Sequence, residues 1–187
     1  MSDVTFDMSK NSMEVHQRNA EPWRVTLVDT GESTMTGGRL KRVASYIKDE
    51  ESFCFTYGDG VGDIDITALI AFHQAQKVKA TLTATIPPGR FGALDLNGSK
   101  VNTFMEKPKG DGAMINGGFF VLSPDVINLI KADSTVWEGE PLEVLAKHSE
   151  IVAYQHHGFW QPMDTLREKN ELSAMATLDN PPWTVIA

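Results

Sequence analysis

Residues 53–88 read FCFTYGDGVGDIDITALIAFHQAQKVKATLTATIPP. The opening run, FCFTYGD, is apolar and aromatic and has strand length, which predicts a strand buried on both faces. It stops at Gly58 and Asp59, where burial would make a charge costly. Asp65 stands where a helix cap is needed, and Ile66, Leu69, Ile70 and His73 then recur at helical spacing. ATLTATIPP again has strand length. Strand, helix, strand within this distance predicts a right-handed βαβ unit with parallel strands. Cys54, inside the first strand, reads as a small core residue and not a nucleophile.

Working outward, VTFDM, MEVH and WRVTLVDTG near the start predict short strands, Val25 and Leu27 alternating with polar neighbours. TMTGGRLKRVASYI changes period: Leu40, Val43, Ala44 and Ile47 share one helical face, with Thr36 as a candidate cap. Downstream, FGALDL and KVNTFMEKP flank Asn97-Gly98, a hairpin signal. INGGFFVL predicts a buried strand, and Ser123-Pro124 a helix start with Ser at the N-cap and Pro at N1. EGEPLEVLAKHS reads as helix and EIVAYQHHGFW as strand. MDTLREKNELSAMATL reads as helix, packing through Leu166, Leu172, Met175 and Ala176, and PPW cannot continue it. The sum is one α/β domain over residues 1–187, with a mixed, mostly parallel sheet and an antiparallel hairpin excursion. Ligands of such sheets gather at the carboxyl ends of the strands, where Asp59 stands.

The chain has 187 residues, 41% hydrophobic and 22% charged, with a formal net charge of -8. No basic stripe is available to displace counterions, so nucleic acid is not the expected partner. One cysteine allows no internal disulfide, which points to a reducing cytoplasm. No apolar stretch approaches the ~20 residues of a membrane span, and MSDVTFDMSK lacks a signal-peptide pattern.

Three further stretches carry candidate chemistry. TYGDGVGDID lacks the glycine and glutamate positions of a calcium loop; it can be a plain turn or a magnesium site built on Asp59, with Gly58 and Gly60 admitting a ligand to the backbone. In FMEKPKGDGAMINGGFFV, residues 104–121, Glu106 and Asn116 can take sugar hydroxyls and Lys107 or Lys109 a phosphate, while Gly117 and Gly118 interrupt an apolar strand. In GFWQPMDTLRE, residues 158–168, Asp164 can cap a helix, hold a metal, or do both. Arg90, in PPGRFGA, reads as a solvated connection. His156 and His157 are adjacent on a strand and point to opposite faces, so they do not read as a metal pair. P-loop, HExxH and GxSxG patterns do not occur.

YGDG, PPGRFG, FMEKPKGDGAMINGGFFV and GFWQPMDTLRE, in that order, resemble the sugar-phosphate nucleotidylyltransferases, and STMTGGRLKR resembles their cytidylyltransferase branch. The resemblance covers nearly the whole chain. It implies a doubly wound nucleotidyltransferase fold, magnesium as cofactor, CTP and glucose 1-phosphate as substrates, and a homo-oligomer serving dideoxysugar synthesis for bacterial surface polysaccharide. Asp59 and Asp164 then match the magnesium ligands, and Thr34, Arg39 and Gly58 the nucleotide contacts. Glu106, Lys107, Asn116 and Gly117 match the sugar-phosphate pocket, with Lys107 also neutralising charge in the reaction. The family's opening GxGxR loop and PKPM-like segment have no counterpart in this sequence, so an N-terminally truncated domain lacking the first βαβ unit is expected. A non-catalytic remnant that binds sugar phosphate, and a relative using UTP or dTTP, are the competing expectations.

Overall fold

The computed structural model describes residues 3–16, 23–87, 93–97, 99–105 and 114–184. Arg90, Glu106, Lys107 and Lys109 lie outside the described residues, as does the Gly98 of the predicted hairpin turn.

Two four-residue strands, β1 (Val4–Asp7) and β2 (Ser12–Val15), form an antiparallel hairpin. The predicted strand WRVTLVDTG does not form: Trp23, Val25 and Leu27 are 77%, 71% and 92% exposed. Alternation over so few residues holds a strand only where a second strand and a buried face receive it. The predicted helix after it divides at Val43 into α1 (Thr36–Arg42) and α2 (Ala44–Ile47). Leu40 is buried, and Val43 and Ile47 pack against the same core as predicted.

Next come β3 (Phe53–Thr56), β4 (Gly60–Gly62), α3 (Ile66–Gln76) and β5 (Ala80–Thr85). The Asp65 carboxylate accepts the Ala68 N–H at 2.8 Å, so the cap is where the sequence puts it. Lys77 ends the helix in a left-handed conformation, φ 54°. The hairpin is β6 (Ala93–Asn97) with β7 (Lys100–Met105), paired antiparallel. After β8 (Ile115–Leu122), Pro124–Leu129 form a 3₁₀ helix and not the expected α-helix, although Ser123 and Pro124 open it as predicted. The chain ends through α4 (Glu140–Lys147), β9 (Ile151–His156), β10 (Trp160–Pro162) and α5 (Leu166–Met175). On α5, Leu172 is buried and Met175 half-buried, but Leu166 and Ala176 face solvent, contrary to expectation.

The central sheet has the order β3-β8-β5-β9. β8 runs antiparallel to both β3 and β5, and β5 is parallel to β9. Three strands therefore point one way, yet only β5 and β9 bond to each other as parallel neighbours. The βαβ unit is real, but β8 lies between its two strands. β8 suits the inner place because Phe120, Val121 and Leu122 are 0–1% exposed. Its two faces serve two clusters. Phe120 and Leu122 join Leu40, Val126, Ile130, Trp137 and Leu145, the layer of α1, the 3₁₀ helix and α4. Val121 packs with Ile64 and Leu69, the layer of α3. Helices thus cover both faces of a mixed sheet, an α/β doubly wound arrangement.

β3 is an edge strand. Phe53 and Phe55 turn inward, while Cys54 and Thr56 are exposed. Cys54 is therefore not a core residue. A strand with one sheet neighbour has one face closed by the layer of α1 and the other left open.

Candidate active site

The carboxyl ends of β3, β5 and β9 meet the beginning of β8 at one end of the sheet: Thr56 pairs with Phe119, Thr85 with Ile115, and Thr85 with His156. Here the chain leaves β3 as Tyr57, Gly58 and Asp59 and enters β4. β4 pairs antiparallel with β10, with Gly60 opposite Pro162 and Gly62 opposite Trp160. Just past the ladder, the Met163 N–H donates to the Asp59 carbonyl at 2.7 Å. The main chains at Asp59 and Asp164 are thereby neighbours, and both residues are exposed. Trp160 fastens this ladder to β8 by donating its Nε1–H to the Gly117 carbonyl at 2.8 Å.

Asp164 is not the cap of α5. Thr165 holds that place in a capping box: its hydroxyl accepts the Glu168 N–H, and Glu168 Oε2 accepts the Thr165 N–H at 2.9 Å. The same carboxylate oxygen takes the Asp164 N–H at 3.0 Å. Cap and candidate ligand are two residues, where the sequence allowed Asp164 to be either or both.

At the start of β8, Asn116 Oδ1 accepts the Gly118 N–H at 2.9 Å. That contact uses one of the amide oxygen's two lone pairs and leaves both NH₂ hydrogens to offer. Gly118 has φ +79°, and a Cβ there would meet the Tyr57 ring at 2.7 Å. The glycine that interrupts an apolar strand is what lets Tyr57 lie on the β8 backbone.

Thr34 and Arg39 bracket the start of α1. This segment is pressed onto residues 133–135: Met35 N–H donates to Asp133 O at 2.9 Å and Gly38 N–H to Thr135 O at 3.2 Å. A Cβ on Gly38 would strike the Asp133 backbone. Thr34 is buried, while Arg39 is exposed and donates to Thr30 Oγ1 (2.7 Å) and Glu32 O (3.0 Å). Both acceptors are neutral, so these contacts leave its charge in place. Arg42 instead grips Asp133 with two bonds, 3.0 and 2.6 Å, which hold the Asp133 carboxyl below the usual range. Thr36 was expected to cap α1. Met35 occupies that position, and the Thr36 hydroxyl bridges to Trp137 N and Glu138.

His156 is half-buried and held by the chain around it. His156 Nε2 lies 2.9 Å from Asp63 Oδ1 and 3.1 Å from Phe159 O, and His157 is exposed. Among the described residues no three His, Cys, Asp or Glu side chains gather as a metal cluster. Magnesium needs no such cluster: one or two carboxylates suffice when phosphates and waters complete the shell. Two exposed aspartates on neighbouring strand ends fit that requirement. Tyr57, the first residue of YGDG, also stands at this end, its ring against Gly118. No helix among the described residues is long and apolar enough to cross a membrane.

The chain belongs to the nucleotidyl transferase family, whose model matches residues 4–161. The fold agrees: a UDP-glucose pyrophosphorylase solved with UDP-glucose superposes with a TM-score of 0.57 at 16% identity, over 80% of this chain and 64% of that one. Within the family, the chain belongs to the glucose-1-phosphate cytidylyltransferase branch. It is 65% identical over 183 residues to the glucose-1-phosphate cytidylyltransferase of Salmonella typhimurium, covering 98% of this chain and 71% of that protein. A mannose-1-phosphate guanyltransferase of Saccharomyces cerevisiae is 32% identical over 145 residues, 74% of this chain and 40% of that protein.

Proposed function

We propose that this site transfers the cytidylyl group of CTP to glucose 1-phosphate, giving CDP-glucose and pyrophosphate, in the cytoplasm and within a homo-oligomer. The observation that carries the proposal is the β4–β10 ladder, which makes YGD and PMD neighbours in a chain 65% identical to a glucose-1-phosphate cytidylyltransferase.

In this reading a phosphate oxygen of glucose 1-phosphate attacks the α-phosphorus of CTP in line. The new P–O bond forms as the bond to the β-phosphate oxygen breaks, and pyrophosphate leaves with that electron pair. The nucleophile is already an anion, so the chain needs no general base. Its task is positioning and charge neutralisation. Asp59 and Asp164 are the residues that would hold Mg²⁺, which when bound offsets the repulsion between two phosphate groups. Arg39, whose partners among the described residues are the neutral Thr30 hydroxyl and Glu32 carbonyl, stands beside the nucleotide segment Thr34–Gly38, and Gly58 offers a backbone that a ligand can approach. On the sugar side, Asn116 presents its NH₂ and Gly117 its backbone. The resemblance assigns Glu106 and Lys107, outside the described residues, to the sugar-phosphate contacts, Lys107 to neutralise charge at the phosphates.

Incubating the chain with CTP, glucose 1-phosphate and Mg²⁺ should release pyrophosphate and CDP-glucose together. Asp59→Asn should lower turnover at least ~100-fold, about 2.7 kcal/mol of barrier, with the circular dichroism spectrum unchanged. Unaltered turnover in that variant removes Asp59 from the chemistry. Competition by UTP and dTTP tests the base: either one matching CTP would shift the assignment to another nucleotide.

A further inference from the structure

β8 is irregular where it enters the site. β5 pairs Leu82 with Phe120 and then Ala84 with Asn116, so three residues of β8, Gly117 to Phe119, stand across from Thr83. Such a bulge takes backbone groups out of the ladder and re-aims what they carry. The peptide unit between Gly117 and Gly118 is buried and finds its partners outside β5. Its carbonyl accepts the Trp160 Nε1–H at 2.8 Å. Its N–H donates to Asn116 Oδ1 at 2.9 Å. Asn116 itself is exposed, and with its oxygen turned to Gly118 the NH₂ is the end it can give to a ligand.

Glycine on both sides leaves this peptide unit free to turn over. A flip changes ψ at Gly117 and φ at Gly118, and no side chain resists either change. What resists is the pair of hydrogen bonds. Turned over, the unit would set its N–H against the indole N–H and its carbonyl against Asn116 Oδ1, donor to donor and acceptor to acceptor. Asn116 could then stay bonded only by reversing its amide, which would put its oxygen where the NH₂ now is. The indole cannot adapt in the same way, because Nε1–H is a donor only. Its ring is also held, packed on the cluster of Ile64, Leu69 and Val121, with the Trp160 backbone opposite Gly62 in the β4–β10 ladder.

We propose that Trp160 is a positioning residue for the sugar phosphate: its indole N–H fixes the Gly117–Gly118 peptide in one orientation, and that peptide makes Asn116 meet the ligand with its NH₂ and not with its oxygen. The proposal rests on the assignment of glucose 1-phosphate to the Asn116–Gly117 side of the site. Donors run one way along the link, from indole to carbonyl and from peptide N–H to amide oxygen, so each bond strengthens the next. The NH₂ suits the oxygens of a phosphate or a sugar hydroxyl, whereas an amide oxygen in its place would repel a phosphate. Trp160 also lies on the strand that leads to Asp164, but the main-chain bonds of the ladder hold that strand without the indole. Loss of the N–H is therefore felt on the sugar side and not by the nucleotide.

The test is calorimetric titration of the full chain with glucose 1-phosphate, in Mg²⁺ and the α,β-methylene analogue of CTP, which cannot react. Trp160→Phe keeps a ring and loses the N–H. It should weaken glucose 1-phosphate about 10-fold, the scale of one hydrogen bond, and leave binding of the CTP analogue within about twofold of the parent. Asn116→Ala should weaken glucose 1-phosphate to a similar extent, and the double variant should lose no more than either single one. In the nuclear magnetic resonance spectrum of the parent, the indole N–H signal that Trp160→Phe removes should move when glucose 1-phosphate is added. Should Trp160→Phe fail to fold, the same signal, assigned through bonds in the labelled parent, carries the measurement. Glucose 1-phosphate affinity within about twofold of the parent's in Trp160→Phe overturns the proposal, as do additive losses in the double variant or an indole signal that stays still while the ligand binds. A parent chain that binds no glucose 1-phosphate overturns the substrate assignment itself, and this role with it.

Discussion

β3 and β5 flank the same strand, β8, and their sequences suggest the wrong one as central. β3 is FCFT, an apolar run. β5 is ATLTAT, every second residue a threonine. Yet β5 lies between β8 and β9, with Thr81 and Thr83 at 0% exposure and Thr85 at 1%, while β3 leaves Cys54 and Thr56 open. Burial follows the number of strand neighbours and covering layers, and not a residue's own hydropathy. Threonine is tolerated at the centre because its branched Cβ suits the pleat and its hydroxyl can find a partner. Thr81 has one, the His73 Nδ1 of α3 at 2.9 Å.

Substitutions on the two strands can break this contrast. The largest effect belongs to Phe55→Ala on the closed face of β3. Phe55 packs on Phe120 and Trp137, and its loss should cost about 3 kcal/mol in denaturant unfolding. A cost under about 1 kcal/mol would mean that β3 is not anchored through this face.

On β5, Thr81→Val should cost about 1 kcal/mol by stranding His73. The same pair predicts a pH effect. Burial lowers the His73 pKa from 6.5, so the folded chain keeps the imidazole neutral where the unfolded chain already binds a proton. Its contribution is complete above the unfolded pKa and is lost as pH falls through that value toward the folded one. The parent's melting temperature should therefore drop more between about pH 7.5 and about pH 5.5 than that of His73→Gln. Equal drops would show that His73 titrates freely in the fold.

Smaller effects sharpen the comparison further. The Thr83 hydroxyl is buried without a hydrogen bond among the described residues. Thr83→Val should raise stability by up to about 1 kcal/mol, and a loss would reveal a partner for that oxygen. Cys54→Ser, on the open face of β3, should stay within about 0.5 kcal/mol of the parent. A cost of about 2 kcal/mol would return Cys54 to the core.

Much of this molecule is written in local pattern. The Asp65 cap, the helix through Leu69 and His73, the Asn97-Gly98 hairpin and the Pro124 helix start all depend on residues within a few positions of one another, and all were readable. The order of the glycine- and acid-containing motifs was enough to reveal the family. The reading failed where a remote partner chooses. WRVTLVDTG alternates like a strand and joins none among the described residues. The aspartate before α5 looked like its cap until Thr165 and Glu168 took that role.

Local chemistry therefore specified most of the segments that become helix or strand, and that Asp59 and Asp164 end up beside strand termini, because caps, turns and periodicity act over a turn or two of chain. It could not specify that β8 would enter between β3 and β5, that β4 would find β10, or that the Thr36 hydroxyl would reach Glu138. Those outcomes join segments distant in sequence, and the choice among partners is made by which packing of both faces buries the most apolar surface while leaving the fewest polar groups unpaired.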